Sequence, residues 1–182
     1  FFTCETIFLQ TIYVLMFIEL GTRRVHLAGI TSHPDGQWVA QQARQLVWQF
    51  EETETSFLCL IRDNDSKYTK AFDTVFESEQ THIVPTPIRA PNANSYSERW
   101  IRSVREECLD HILIINEPHL RRVLNEYLKY YNSRRPHQGL SQQSPIPRPE
   151  PTTDGNINRY EILGGIINDY FRSSEKTAVC PI

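Results

Sequence analysis

Two carboxylates stand out by where the sequence puts them. Asp63 closes the apolar run Phe57-Leu58-Cys59-Leu60-Ile61, which reads as a central, buried strand whose C-terminal end presents polar side chains. That end is where open α/β sheets place their sites. Glu98 falls in the first turns of a helix that follows a proline-bounded loop. The 35 positions between them leave room for one helix and one strand, enough to return the chain to the same sheet edge. Carboxylate oxygens converging there suit hard divalent cations such as Mg²⁺, which keep open positions for water and phosphate. Two such ions can activate an attacking oxygen and stabilise a leaving one in an in-line phosphoryl displacement. Spacing alone leaves the bland alternative open, a turn aspartate and a solvated helical glutamate.

The elements needed to position these groups can be read from apolar periodicity. Ile7 to Leu20 is β-branched, aromatic and aliphatic, as in a strand buried on both faces, and Gly21-Thr22 turns it into a second strand at 24–30. Asp35 is placed to cap a helix striped by Trp38, Val39, Ala43, Leu46, Val47 and Phe50. After the strand ending at Asp63 come a helix with Phe72, Val75 and Phe76, a strand at 82–88, and a loop at 90–94. A long helix then runs through Trp100, Val104, Cys108 and Ile112, and another covers about 118–131. Segments 134–140 and 144–151 read as extended loop and Pro-rich linker, and 160–171 as a short element weakened by Gly164-Gly165. The order strand, strand, helix, strand, helix, strand, helix, helix predicts an α/β fold, a ribonuclease H-like mixed sheet flanked by helices. The expected division is a core at 1–141 and a Pro-rich linker with a short tail at 142–182.

Composition narrows the function classes. The chain has 182 residues, 40% of them hydrophobic, enough to bury a core. Its longest apolar run, Ile12 to Ile18, is far short of the roughly 20 residues that span a bilayer. No membrane association and a cytoplasmic setting are expected. Cys4, Cys59, Cys108 and Cys180 lack zinc or C-x-x-C spacing and read as reduced, mostly buried thiols. The net charge of −3 argues against a protein coated in nucleic acid, yet from Arg89 to Arg135 nine Lys/Arg face six Asp/Glu, so cations concentrate around the motifs.

Three ordered words carry a family resemblance. Arg62-Asp63-Asn64-Asp65-Ser66-Lys67-Tyr68-Thr69 resembles the segment around the second catalytic aspartate of DDE-type insertion-sequence transposases and integrases, of the retroviral-integrase superfamily. Ala90-Pro91-Asn92-Ala93-Asn94-Ser95-Tyr96-Ser97-Glu98-Arg99-Trp100 resembles that family's catalytic glutamate segment. Tyr130-Tyr131-Asn132-Ser133-Arg134-Arg135-Pro136-His137-Gln138-Gly139-Leu140 is similar to the Tyr-Asn-x-x-Arg-Pro-His-x-x-Leu word near the end of such cores. The resemblance spans about 1–149. It implies a polynucleotidyl transferase that processes DNA 3′ ends and joins them to target DNA, acting as a homo-oligomer with Mg²⁺ or Mn²⁺, two ions in the intact enzyme. Asp63 and Glu98 match metal ligands and catalytic residues, whereas Asp65 occupies a position where many relatives have glycine.

By the same resemblance the first catalytic aspartate falls immediately ahead of Phe1. Asp35 reads as a helix cap and Glu5 lies a few residues too far along, so the 182 residues are expected to be inactive by themselves. Two alternatives stay open: a catalytically dead DNA-binding or assembly remnant of a mobile element, and a ribonuclease H-like nuclease. Lys67, Arg99 and Arg102 lie beside the carboxylates and are candidates to position DNA phosphates. Trp100 reads as core, Tyr96 as packing at the helix entry, and His137 as ordering its loop; for Arg102 and Arg105, salt bridges to Glu106 or Asp110 stay open as the alternative to phosphate contact.

Overall fold

The computed structural model describes residues 1–87, 95–148 and 154–173. Three strands form an antiparallel meander: β1 (Phe2–Glu5), β2 (Thr11–Ile18) and β3 (Val25–Thr31), in the order β1-β2-β3. Helix α1 (Gly36–Glu52) follows, with Asp35 accepting the Trp38 N–H at 2.7 Å as its N-cap. Its expected stripe is buried at Val39, Ala43, Leu46 and Phe50. Strand β4 (Cys59–Arg62) pairs in parallel with β5 (His82–Pro85), and α2 (Lys70–Glu77) connects them. Helices α3 (Ser95–Glu107) and α4 (Glu117–Ser133) come next, then the hairpin β6 (Asn156–Ile162) and β7 (Ile167–Ser173).

Side chains from both sides of the β1–β3 sheet make two cores. Phe2, Ile12 and Val14 pack with Trp100, Val104, Leu120, Leu124 and Tyr127 of α3 and α4. Leu15 packs with Val39, Ala43, Phe72 and Phe76 of α1 and α2. Each such fully buried large side chain contributes about 1.5–3 kcal/mol relative to exposure. Helices thus cover both faces, as a ribonuclease H-like arrangement requires.

Several readings change. The run 7–20 is not one strand: Thr6 accepts the N–H groups of Phe8 and Gln10, Leu9 adopts φ 58°, and the apolar Ile7-Phe8-Leu9 is an exposed turn. A third strand, β1, was therefore hidden behind a turn without turn-type residues. Strand β4 is not buried: Leu58 just ahead of it is 88% exposed, and Cys59, expected inside, is exposed. Cys180 lies outside the described residues. The parallel and antiparallel parts of the sheet form separate hydrogen-bonded units, β1-β2-β3 and β4-β5. Helix α3 stops at Glu107 rather than reaching Ile112, because Cys108 leaves helical geometry (φ −137°, ψ −69°) and a 3-10 turn takes over at Leu109–His111.

Residues 134–144 are structured rather than loop-like, while 149–151 of the expected linker lie outside the described residues. His137 and Ser144 are buried, His137 and Gln143 form a β-bridge, and Gln138–Leu140 makes a 3-10 turn. Gly164 and Gly165, which weakened the last element, are its turn: both have positive φ (65° and 91°), the conformation a hairpin end of this kind needs. The hairpin docks on α4 through buried Ile162 and Leu163 and through Arg134–Asp169 at 2.7 Å.

Candidate active-site cleft

Strand β4 delivers Asp63 to its own C-terminal end, and α3 carries Glu98 one turn in from Ser95. Both line one cleft of about 470 Å³, together with Phe1, Tyr68, Tyr96 and Ile101. The structure thus brings the two sequence-derived carboxylates to a shared cavity. Among the described residues neither forms an ion pair. The Asp63 carboxylate accepts the backbone N–H of Asp65 at 3.2 Å, and its carbonyl accepts Arg62 Nη1 at 3.0 Å.

Its neighbours are, by contrast, committed. Asp65 takes the Lys67 backbone N–H at 2.9 Å and the Lys67 ammonium at 2.9 Å. Burial works against its charge, but these bonds hold the Asp65 carboxyl below its ordinary range. Arg62 grips Asp73 of α2 through two bonds, at 2.8 and 2.7 Å, which raises the guanidinium further. Tyr68 lines the cleft half-buried, and its burial together with the Asp63 and Asp65 charges pushes its hydroxyl up. Of the carboxylates 63, 65 and 73, Asp63 is the one left to meet a ligand.

A cation fits the donor type here. Carboxylate oxygens are what Mg²⁺ and Mn²⁺ take, and unpaired ones at a solvent-reaching cleft carry the needed charge. The donor count is short, since among the described residues no three His, Cys, Asp or Glu side chains converge to hold an ion.

The candidate phosphate contacts divide. Lys67 is closed off by Asp65, so it is not a free cation beside the cleft. Arg99 and Arg102 are exposed on α3. Arg102 lines a shallow groove with Glu98, Ile101, Arg105, Glu106 and Asp110 that runs on from the cleft. Arg105 donates to the Thr3 carbonyl at 2.9 Å instead of bridging to Glu106 or Asp110, tying α3 to β1. The loop word 90–94 lies outside the described residues.

Sequence reasoning missed the partners that hold α3 in place. Arg23 donates to the Tyr96 hydroxyl at 3.1 Å and lies 3.9 Å from its ring centroid, fixing the start of α3 one turn from Glu98. At the other end, Glu107 accepts Arg135 Nε at 3.0 Å and the Tyr127 hydroxyl at 2.9 Å. The Arg-Pro-His word is this anchor. Asn132 exchanges two hydrogen bonds with Val25 of β3, and His137 packs edge-on against Tyr131 at 4.6 Å while its Nε2 meets the Tyr131 carbonyl. Trp100 is core, 2% exposed. No spacing rule reveals Arg23 or Glu107, because their partners lie 73 and 28 positions away.

Residues 79–145 match the integrase core domain family. That match contains Glu98 and the Arg-Pro-His word, while Asp63 lies ahead of it. No curated protein matches the chain. Among solved structures, a chain from the simian T-cell lymphotropic virus intasome in complex with PP2A regulatory subunit B56 gamma is similar over 94% of this chain, at 12% identity and a TM-score of 0.60. This chain spans 64% of that one's length. The catalytic core domain of BIV integrase is similar over 79% of this chain and 86% of its own, at 16% identity and a TM-score of 0.54. The fold is therefore that of retroviral integrase catalytic cores, ribonuclease H-like. No helix among the described residues is long and apolar enough to cross a membrane.

Proposed function

We propose that this chain is the catalytic core of a DDE-type transposase of a mobile element, which processes DNA 3′ ends and transfers them to target DNA, a polynucleotidyl transferase. The observation that carries the reading is the pair Asp63 and Glu98, unpaired among the described residues on one cleft of an integrase-like fold. These two side chains would hold Mg²⁺ or Mn²⁺, which when bound supplies a polarised attacking oxygen and a stabilised leaving oxygen. Arg99 and Arg102 would position the DNA backbone along α3 without reading its sequence. The unit is 1–141 with the appended segment 142–182, works in the cytoplasm, and assembles as a homo-oligomer, as the intasome neighbour suggests.

A third carboxylate would complete such a site, and the reading puts it directly ahead of Phe1. Phe2 packs on Trp100 at 5.7 Å, whereas Phe1 packs on Tyr68 at 5.6 Å, on the other side of the strand. Side chains alternate along a strand, so a residue joined ahead of Phe1 faces the α3 side that carries Glu98. Adding Asp there is expected to give Mn²⁺-dependent joining of a labelled 3′-hydroxyl DNA end to a second duplex, with none from the 182-residue chain. An Asp-extended protein as inert as the chain itself overturns the reading; cutting without joining assigns a nuclease instead.

The lack of a three-carboxylate cluster among the described residues favours a second reading for these residues alone, DNA binding or assembly without chemistry. Titration calorimetry with Mn²⁺ separates the two. Binding that Asp63→Asn abolishes supports a metal site, and absence of binding supports the non-catalytic role.

A further inference from the structure

One pair of backbone torsions decides where the Asp63 carboxylate stands, and its neighbours hold both. Peptide planes are rigid, so φ and ψ of Asp63 are set once the peptides on either side are fixed. The plane ahead is held at its carbonyl: Arg62 O accepts the Thr86 N–H at 2.7 Å and the Thr86 hydroxyl at 3.0 Å. The plane behind is held the same way, since the Asp63 carbonyl accepts Arg62 Nη1 at 3.0 Å. Asn64 adds a third tie, donating from Nδ2 to the Thr86 carbonyl at 2.9 Å. With the backbone pinned, the side-chain torsions of Asp63 remain, and the Asp65 N–H meets its carboxylate at 3.2 Å.

Arg62 serves as a strut because the rest of its fork is already fixed. Its Nε and Nη2 take the two Asp73 oxygens at 2.8 and 2.7 Å, a bidentate pair whose geometry the planar guanidinium dictates. Asp73 lies in the first turn of α2, next to the fully buried Phe72. The two side chains are only 14% and 20% exposed, so the pair is weakly screened. Arg62 Cζ also lies 5.8 Å from the Tyr68 ring centroid. The third arm, on the Asp63 carbonyl, turns a tie between strand and helix into a link from α2 to Asp63. Every group bonded in this link lies between 62 and 86, on β4, α2 and the residue just past β5.

We propose that Arg62, held by Asp73, is a positioning residue that fixes the direction of the Asp63 carboxylate, so that α2 preorganises this ligand before an ion arrives. The inference rests on the reading of Asp63 as a metal ligand. Hydrogen-bonding partners of this kind orient a ligand without touching the ion, and their loss weakens metal binding. A pair that served the fold alone would, when broken, loosen α2 and the loop after β4 together.

The test uses the 182-residue protein with Arg62→Lys and, separately, Asp73→Asn. A lysine ammonium can answer Asp73 or the Asp63 carbonyl but lacks the fork to hold both; Asp73→Asn takes the charge and one acceptor from the fork. Hydrogen exchange of the metal-free protein is followed at the Asp65 amide, which reports on the Asp63 carboxylate, and at 74–77 within α2. At least tenfold faster exchange at Asp65, with 74–77 unchanged, is expected in both variants. In calorimetry, Asp63-dependent Mn²⁺ binding should weaken about 10–100-fold. An Asp65 amide unchanged in both variants, or a gain matched at 74–77, overturns the proposal, as does Asp63-dependent Mn²⁺ binding of undiminished strength. Absence of such binding in the parent protein overturns the metal reading alone, and the exchange comparison still decides whether Arg62 positions Asp63.

Discussion

The two ends of α3 treat charge in opposite ways. At its first turns Glu98, and across the cleft Asp63, form no ion pair among the described residues. At its last turn Glu107 is fully engaged by Arg135 and Tyr127, and the next word of sequence adds Asn132 on β3 and His137 on Tyr131. The same residue types serve different ends. A carboxylate locked by a guanidinium and a phenol positions a helix; one left open to a cleft can take a ligand.

The contrast can be broken most sharply by mutation of the open pair. In the Asp-extended protein, Asp63→Asn or Glu98→Gln should lower strand transfer by about 10²–10³-fold in a labelled-end assay, since each removes a carboxylate that would hold the metal ion at the reacting phosphate. Both should leave urea-unfolding stability within about 0.5 kcal/mol, as expected away from packed or paired groups. A large stability loss would show that these acids hold the fold and erase the distinction.

Glu107→Ala should do the reverse. It strands Arg135 and the buried Tyr127 hydroxyl, and hydrogen bonds to charged groups are worth about 1.5–3 kcal/mol each. A total loss of about 2–3 kcal/mol in urea unfolding is expected after allowing for the partial exposure of the pair. Asn132→Ala, which leaves both the N–H and the carbonyl of Val25 unanswered, should cost about 1–2 kcal/mol by the same measure. Neither change should alter the metal dependence of the folded fraction.

The smallest effect concerns pH. Burial lowers the pKa of His137, and of His26 despite its bond to Glu19. Both rings are therefore held neutral in the fold but protonate at the ordinary 6.5 when unfolded. The unfolded state binds more protons, so their contribution is full above about pH 6.5 and is lost as pH falls through the folded values. Urea midpoints should drop between pH 7 and 5, and His137→Asn should flatten part of that slope.

Much of this was legible in one dimension. The Asp35 cap, the stripe of α1, α2 and the extent of α4 follow from local patterns, and the three motif words led to the integrase-like fold and to two carboxylates, Asp63 and Glu98, that line one cleft. The failures have local causes too. Ile7-Phe8-Leu9 has strand composition, but Thr6 turns it. Gly164-Gly165 looked disruptive within an element and is the bend between two. Lys67 stood beside the carboxylates, and only the fold shows it spent on Asp65.

The sequence by itself determined which residue types could do chemistry and roughly which element carries each, because capping, periodicity and motif spacing are properties of neighbours along the chain. Tertiary structure decided which charges are free. Whether Glu98 or Glu107 meets a guanidinium depends on groups brought from tens of positions away.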